Sequence, residues 1–335
     1  ILLCPICGKP ISDIARWGQI KLGNWINQKP TLDTAGFHLS ELLSPWSTIK
    51  KMVQDYLIAK RGGPEFLKTF TNTVLGETSS EDIDIQPTSV FLSRREPFDE
   101  NTIPTSVNFL VATVDVQDSR LEFCLIGYGL DQETYIIKHL VINGNPFDPK
   151  TFDILETQID KIYSGKQIYV TLIDSGGHAT NEVYTFANRM TKKGKRVYAI
   201  KGVSGDRPLW PRRSNRSRKY NTQFYPVGVD LAKSIIWDRL KNDVIGPRYI
   251  HFSHTLDPVF FEQLQNEIPV YKQIRGGYKK VWELKRKGNE AWDLLVYGVI
   301  ALYSAITAYE RSCFSIDVPE IKVGKSKYLE SMREN

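Results

Sequence analysis

The chain has 335 residues, of which 41% are hydrophobic and 24% are charged, as in a soluble globular protein with one large or two ordinary domains. We find no apolar run as long as a membrane span and no charged leader before an apolar stretch, so neither a membrane protein nor a secreted one is expected. The 44 Lys and Arg residues exceed the 38 Asp and Glu residues, and the formal net charge of +6 is compatible with a polyanionic partner.

The chain begins at Ile1 rather than at Met, so we expect a fragment or a processed chain. Cys4 and Cys7 form the sequence CPICG, which is typical of one knuckle of a zinc ribbon. A closed zinc site needs four ligands and this segment offers two. Bound zinc is therefore expected only in a longer protein.

Residues 1–104 are expected to form a mainly helical segment that ends in a linker. A helix is predicted in WSTIKKMVQDYLIAKRG, with Ser47 as its N-cap and the glycines at its end as a stop, and a second helix in PEFLKTFTNTVLGE. The stretch from Glu77 to Pro104 is polar, acidic and contains proline, as linkers and wrapping arms do. We place a domain boundary near residue 105.

Three β-rich runs at 109–116, 121–129 and 133–142 follow, joined by short turns, and they predict an antiparallel meander. A helix in PKTFDILETQIDKIYSG, a strand ending at Asp174, a helix at 179–190 and the strand RVYAIKG come next. Three antiparallel strands followed by helix, strand, helix and strand is the order of an RNase H-like fold, a mixed sheet flanked by helices. We assign it to residues 105–312 and expect residues 313–335 to be a flexible tail.

The remaining elements are a basic loop, a strand in TQFYPVGV, a helix in DLAKSIIWDRLKN, a strand in RYIHFS and a helix at about 257–267. A hairpin is then predicted in YKQIRGGYKKVWEL, with its turn at the Gly pair. The final helix contains GNEAWDLLVYGVIALY and is anchored by its apolar face.

Three acidic residues lie at the ends of apolar segments: Asp115 in FLVATVDVQ, Asp174 in QIYVTLIDSGG and Asp293 in GNEAWDLLVYGVIALY. A buried carboxylate needs a donor, a cation or water beside it. Mg²⁺ and Mn²⁺ prefer oxygen ligands, and two such ions roughly 4 Å apart activate a water and stabilise a leaving oxygen. Each Asp alone could equally cap a turn or a helix, but the three together predict a two-ion site for a phosphodiester.

Glu290 competes with Asp293 for the third position, because residues three apart on a helix share a face. We prefer Asp293. Asp118 and Glu122 lie near the first acid and are interpreted as surface charges of the hairpin.

Two basic clusters are candidate DNA contacts. One is interleaved with Trp210 and Tyr220, which suits phosphate contact with some stacking, and the other directly precedes the helix of Asp293. The clusters are Arg212, Arg213, Arg216, Arg218 and Lys219, and Lys285, Arg286 and Lys287.

An ordered series of motifs resembles the large terminase subunit of tailed phages, in its lambda-type family. The motifs span nearly the whole chain: GFHLSELLSPW, FTNTVLGE, VDVQDSRLE, IDSGG, AIKG, VGVDLAK and NEAWDLLVY. The resemblance implies an amino-terminal ATPase that drives packaging and a carboxy-terminal RNase H-like nuclease that cuts concatemeric double-stranded DNA with divalent metal. No GxxxxGK[ST] phosphate loop occurs in this sequence, so the chain resembles the end of the ATPase lobe, a linker and the nuclease.

By the same resemblance, Asp115 and Asp174 match the metal-binding acids of the family, and Asp293 matches the last acid of its NEALD-like motif, with Trp292 in place of the usual Leu. Lys201, at the end of its strand, is a candidate contact to the scissile phosphate, or else a surface lysine. His178 could help with proton transfer, or else be merely exposed.

The implied partners are double-stranded DNA, the small terminase subunit and the portal protein, with no membrane, in the cytoplasm of the host cell. Two alternatives stay open: another enzyme of this fold, such as a transposase or a Holliday-junction resolvase, and a non-catalytic module that docks on the portal or on DNA.

Overall fold

A computed structural model describes residues 2–4, 6–26, 36–62, 64–77, 85–274 and 277–314. The predicted tail beyond residue 314, part of the predicted linker and the turn of the predicted hairpin lie outside these ranges.

In chain order the strands and helices are β1 (Leu2–Leu3), β2 (Pro10–Ile11), α1 (Asp13–Ile20), α2 (Ile49–Gly62), α3 (Pro64–Phe70), α4 (Thr88–Ser93), β3 (Arg95–Glu96), β4 (Phe109–Gln117), β5 (Arg120–Tyr128), β6 (Thr134–Asn143), α5 (Pro149–Asp160), β7 (Ile168–Asp174), α6 (Thr180–Lys192), β8 (Val197–Val203), β9 (Asn215–Ser217), β10 (Thr222–Gly228), α7 (Val229–Lys241), β11 (Ile250–Ser253), α8 (Pro258–Gln263), β12 (Glu267–Ile274), β13 (Gly277–Leu284) and α9 (Glu290–Phe314). Short 3₁₀ turns at Glu41–Leu43 and Leu130–Gln132 and a π-helical turn at Thr71–Leu75 complete the regular structure of the described ranges.

Nine strands form one mixed sheet in the order β3-β11-β6-β5-β4-β7-β8-β10-β9. β5 and β9 are antiparallel to their neighbours, and the other pairs of strands are parallel. The predicted RNase H-like order is confirmed: β4, β5 and β6 form an antiparallel meander, and β7 and β8 then extend the sheet on the other side of β4. β12 and β13 form a separate two-stranded ribbon.

Two apolar cores cover the two faces of the sheet. On one face α5 and α6 pack, with Phe152 and Phe186 among their buried residues. On the other face α7, α8 and α9 pack, and the fully buried Trp292 lies there. Alternate residues of each strand enter opposite cores, so Ala112 belongs to the α5–α6 face and Val111 to the α9 face. This alternation decides where the polar residues at the strand ends point.

The predicted linker contributes to the cores. α4 places Phe91 on the α9 face, β3 pairs with β11 at the edge of the sheet, and Phe98 and Ile103 are buried on the α5–α6 face. The boundary near residue 105 stays a prediction, but residues 88–103 pack with the sheet that follows them.

The start of α2 differs from the prediction. The backbone N–H of Lys51 donates to the hydroxyl of Thr48 at 3.2 Å, whereas the Ser47 hydroxyl donates to Glu41. Ser47 as the N-cap was therefore wrong, because its side chain is used by the preceding 3₁₀ turn.

Among the described residues, one helical stretch, Glu290–Tyr309 of α9, is long and apolar enough to cross a membrane by length and composition, which corrects the expectation of no such run. Most of this stretch is buried against the rest of the molecule, which is the pattern of a core helix.

Candidate metal centre

The first two predicted acids lie near the carboxyl ends of two adjacent parallel strands. Val114 of β4 pairs with Ile173 of β7, so Asp115 and Asp174 each come one residue later. Asp115 follows Val111 by four residues, and Asp174 follows Leu172 by two, and both of these apolar residues enter the core beneath α9. The two carboxylates therefore point to the α9 side of the same sheet edge.

The third acid comes from the first turn of α9. Asp293 lies three residues after the start of the helix, and its carboxylate accepts a hydrogen bond from the Asn289 side chain at 2.9 Å. Burial raises the pKa of Asp293 to about 8, and the Lys233 ammonium opposes this while the charges of Asp115 and Asp174 add to it. The three predicted acids are therefore close enough for the charges of Asp115 and Asp174 to act on Asp293.

The two strand-end acids also carry raised pKa values. Asp115 is 4% exposed, and burial raises its pKa to about 7 against a hydrogen bond from Gln117. Burial raises the pKa of Asp174 as well, opposed by the backbone N–H groups of Gly176 and Ser175. Like charges crowd one another here, so the site favours protons or a cation in place of three bare carboxylates.

Tyr297 of α9 is affected by the charges of the same three acids. It is 7% exposed and lies one helical turn after Asp293. Burial raises its pKa well above the ordinary value, and the charges of Asp174, Asp293 and Asp115 raise it further. The phenol stays neutral at ordinary pH, beside all three acids.

The donor set fits a hard divalent cation, since it consists of carboxylate oxygens that burial deprives of water. Within the described ranges, no group of three or more His, Cys, Asp or Glu side chains is close enough together to enclose a metal ion. Mg²⁺ is usually held by one or two carboxylates together with waters and a substrate phosphate, so it does not require a closed cage of protein ligands.

Glu290 has another partner. Its carboxylate accepts a hydrogen bond from Arg120 at 2.9 Å, and its second oxygen is buried with no hydrogen-bond partner in the described structure. Arg120 also donates to Glu122 at 2.7 Å, and His139 lies 3.0 Å from the other oxygen of Glu122. Arg120 therefore ties the hairpin of β4 and β5 to the start of α9.

The interpretation of Glu122 as a surface charge of the hairpin was wrong, because this residue is only 2% exposed. Burial alone would raise the pKa of Glu122, but hydrogen bonds from His139 and Arg120 outweigh burial and lower it. The alternation of β5 could not show this, because His139 comes from β6.

Lys233 and Glu267 are site residues that sequence reasoning missed. The Lys233 ammonium lies 2.6 Å from Glu267, and Glu267 also accepts a hydrogen bond from the Trp292 indole at 3.1 Å. The pair fixes the residue next to Asp293 and places a cation near its carboxylate. The motif VGVDLAK, which ends in Lys233, could have indicated this lysine, since the motif starts a helix directly after a strand that runs parallel to β8.

The other candidates at this edge are exposed. Lys201 follows Ile200, which pairs with Asp174. The charge of Lys201 partly opposes the rise that burial causes in the pKa of Asp174. His178 lies 3.0 Å from Asp118, and the side chains of both are 84% exposed. Arg286 and Lys287 are exposed just before α9, and Lys285 there pairs with Glu283 at 2.8 Å.

The loop cluster lies elsewhere. Arg216 pairs with Gln223 near the amino end of β10, whereas the acids lie at the carboxyl ends of strands parallel to β10. The structure therefore does not bring Arg212, Arg213, Arg216, Arg218 and Lys219 to the carboxylates.

Cys4 and Cys7 lie on a tight turn, in which the Gly8 N–H donates to the Cys4 carbonyl at 2.8 Å. Hydrogen bonds from the Cys7 and Ile6 backbone lower the pKa of Cys4. No further ligand joins them among the described residues, so zinc in a longer protein stays a prediction.

A family model described as the terminase large subunit gpA, endonuclease domain, matches residues 34–311. The chain belongs to this family. It is 31% identical over 294 residues to the terminase large subunit of Escherichia phage lambda, a match that covers 83% of this chain and 45% of that protein. The chain thus spans less than half the length of the curated relatives that it matches.

Two solved structures are more distant. A mutant nuclease domain of the large terminase subunit gp2 of bacterial virus Sf6, with manganese, is 12% identical with a TM-score of 0.36, and the match covers 58% of this chain and 88% of that one. The HK97 bacteriophage large terminase is 14% identical with a TM-score of 0.36, covering 77% of this chain and 51% of that one. Membership of the terminase family rests on the sequence match.

Proposed function

We propose that this terminase-family chain is a metal-dependent endonuclease that cuts concatemeric double-stranded phage DNA during genome packaging. The observation that carries the proposal is the convergence of Asp115, Asp174 and Asp293 at the carboxyl ends of adjacent strands. Burial raises all three pKa values, and repulsion from the neighbouring carboxylates adds to the rise at Asp115 and Asp293.

Mg²⁺ or Mn²⁺, as two ions, would supply Lewis-acid stabilisation of the attacking and leaving oxygens when held by these three carboxylates. Asn289 orients the Asp293 carboxylate through its hydrogen bond, and the backbone N–H of Gly176 orients that of Asp174 at 3.1 Å. Lys201 is exposed beside Asp174, where it can contact the scissile phosphate. His178, which lies 3.0 Å from Asp118 with an exposed side chain, would help with proton transfer.

The exposed Arg286 and Lys287, just before α9, would bind the DNA backbone beside the acids. The loop cluster would bind phosphates further along the DNA, since it lies near the amino end of β10, whereas the acids lie at the carboxyl ends of the parallel strands. Phosphate contacts carry no base information, so low sequence preference is expected for this chain alone. Recognition of the small terminase subunit and the portal protein, in the host cytoplasm, belongs to the whole protein.

The test is cleavage of linear and supercoiled plasmid by this chain in EDTA, Mg²⁺ and Mn²⁺. Asp115→Asn and Asp174→Asn should abolish metal-dependent cutting while folding and DNA binding persist. The exposed Asp243→Asn is a matched control and should cut normally.

Normal cutting by Asp115→Asn would contradict the assignment of the centre. DNA binding with no cutting by any form, in any metal, would contradict the nuclease and favour a docking module. A strong preference for four-way junctions over plasmid would instead indicate a resolvase.

A further inference from the structure

A cavity of about 490 Å³ lies between the loop that precedes β9 and the carboxyl-terminal half of α9. Its lining includes Trp210, Arg213 and Tyr225 from the sheet side and Ser304 and Thr307 from the helix. Thr307 lies fourteen residues after Asp293, about 21 Å along the helix at 1.5 Å per residue. The cavity is therefore separate from the metal centre.

One wall of the cavity is aromatic. The rings of Trp210 and Tyr225 are stacked, with centroids 4.5 Å apart and planes at 19°, and the ring of Tyr198 lies 5.1 Å from that of Tyr225. All three rings are partly buried, which fixes their orientation. Rigid aromatic surfaces of this kind stack on nucleobases with little dependence on sequence.

The remaining lining supplies groups that suit a phosphate and a sugar. The Arg213 side chain is exposed at the cavity, and a guanidinium can bind a phosphate through two parallel hydrogen bonds. Ser304 is 6% exposed and lines the cavity from α9. The Thr307 hydroxyl donates to the Tyr303 carbonyl at 2.8 Å, which leaves its oxygen able to accept. The hydroxyl groups of Ser304 and Thr307 line the cavity, and that of Ser304 can donate to or accept from a ligand while that of Thr307 can accept from one.

We propose that this cavity binds one nucleotide unit, with the base against the aromatic wall, the phosphate on Arg213 and the sugar or base edge on Ser304. Because the bases of an intact duplex are stacked on one another, the unit comes from a single-stranded segment, a strand end or a free nucleotide. The proposal goes beyond the nuclease function and does not depend on the carboxylates.

Binding is measured in EDTA by fluorescence anisotropy with a labelled twelve-residue oligothymidylate, a labelled duplex of the same length and a fluorescent dATP analogue. Trp210→Ala is expected to weaken binding of the single strand about tenfold and to change duplex binding less than twofold. Trp210→Phe, which keeps a stacking ring, should restore most of the affinity. Ser304→Ala should weaken binding of the single strand severalfold.

Arg213→Gln is compared with Lys150→Gln, which removes the same charge from α5 on the opposite face of the sheet. Only Arg213→Gln should weaken binding of the single strand. Circular dichroism checks that each variant is folded. A Trp210-dependent loss for the oligonucleotide alone assigns the cavity to a DNA strand, and one for the dATP analogue alone assigns it to a free nucleotide.

Equal binding of every ligand by wild type, Trp210→Ala and Arg213→Gln would overturn the proposal. So would a loss in Trp210→Ala that is as large for the duplex as for the single strand. Neither result bears on plasmid cutting by the carboxylates, so failure of this site is distinguishable from failure of the nuclease.

Discussion

Asp115 and Asp174 are neighbours across two parallel strands, each one residue beyond the paired Val114 and Ile173. Adjacent strands lie about 4.8 Å apart, and residues in register keep that separation. Both side chains face α9, which brings a third carboxylate from Asp293. Each acid is thus held by a different rigid element, and none relies on a loop for its position.

Asp293 and Glu290 are expected to respond differently to loss of charge. Asp293→Asn should lower metal-dependent cleavage at least about 100-fold, whereas Glu290→Gln should stay within about tenfold of wild type. Glu290 is paired with Arg120 at 2.9 Å, so its change should instead lower the free energy of unfolding by about 1–3 kcal/mol. Cleavage rates at saturating Mn²⁺ and urea denaturation measure both effects. The reverse pattern would make Glu290 the third ligand.

Without metal, the stability of the protein should fall as the pH rises from about 4 to about 8. The folded-state pKa values of Asp115 and Asp293, about 7 and about 8, lie above that of an unfolded Asp at roughly 3.9, so the folded state binds more protons in this window. Asp293→Asn should therefore be more stable than wild type at pH 8, by up to about 5 kcal/mol, and equal to it below pH 4.

Thermal unfolding in EDTA across this pH range measures the effect, with Asp243→Asn as the control that should follow wild type. Added Mn²⁺ should raise the melting temperature of wild type at pH 8 and leave that of Asp293→Asn nearly unchanged. A stability that rises with pH in EDTA would show that these carboxylates are not held protonated.

Trp292→Leu should affect packing rather than ligation. Trp292 is fully buried, and its ring lies 5.7 Å from that of Trp282 and 6.3 Å from that of Trp237. Replacing it with a smaller side chain leaves a cavity and should cost about 3 kcal/mol of unfolding free energy. The affinity for Mn²⁺, measured by calorimetry, should change less than twofold. A large loss of affinity would show that the indole positions the ligands.

Gly228→Ala should displace the loop that leads to the basic cluster. A Cβ at Gly228 would lie 2.4 Å from the Arg207 carbonyl oxygen and 2.8 Å from that of Pro208, so backbone must move. We expect a loss of about 1–3 kcal/mol and faster tryptic cleavage in the loop. Gly18→Ala is the matched control, because nothing lies within 4 Å of a Cβ there. Equal trypsin sensitivity of the two variants would contradict the close contact.

The carboxyl ends of β4 and β7 could be located from the sequence, because each is a largely apolar run that meets an acid. β7 ends at Asp174, and β4 ends at Gln117, two residues after Asp115. A strand buried on both faces has to be apolar throughout, so its first carboxylate marks the edge of the sheet. The same reasoning gave α9, whose apolar face is periodic and whose first turn is acidic.

The contributions of other segments could not be predicted in this way. The stretch that contains α4 and β3 is polar and acidic overall, and the burial of Phe91 and Phe98 depends on partners far along the chain. The basic loop gave no sign of which edge it occupies, because that depends on β9 reversing direction beside β10. Pairing of Glu122 with His139 likewise depends on strand register.

The two outermost strands of the sheet are among its shortest: β3 has two residues and β9 has three. An edge strand of this length exposes few free backbone N–H and C=O groups, so another polypeptide finds little to pair with by strand addition. Nine strands side by side would otherwise be a template for self-association. Copies of this protein are thereby protected from joining this nine-stranded sheet edge to edge, end strand against end strand.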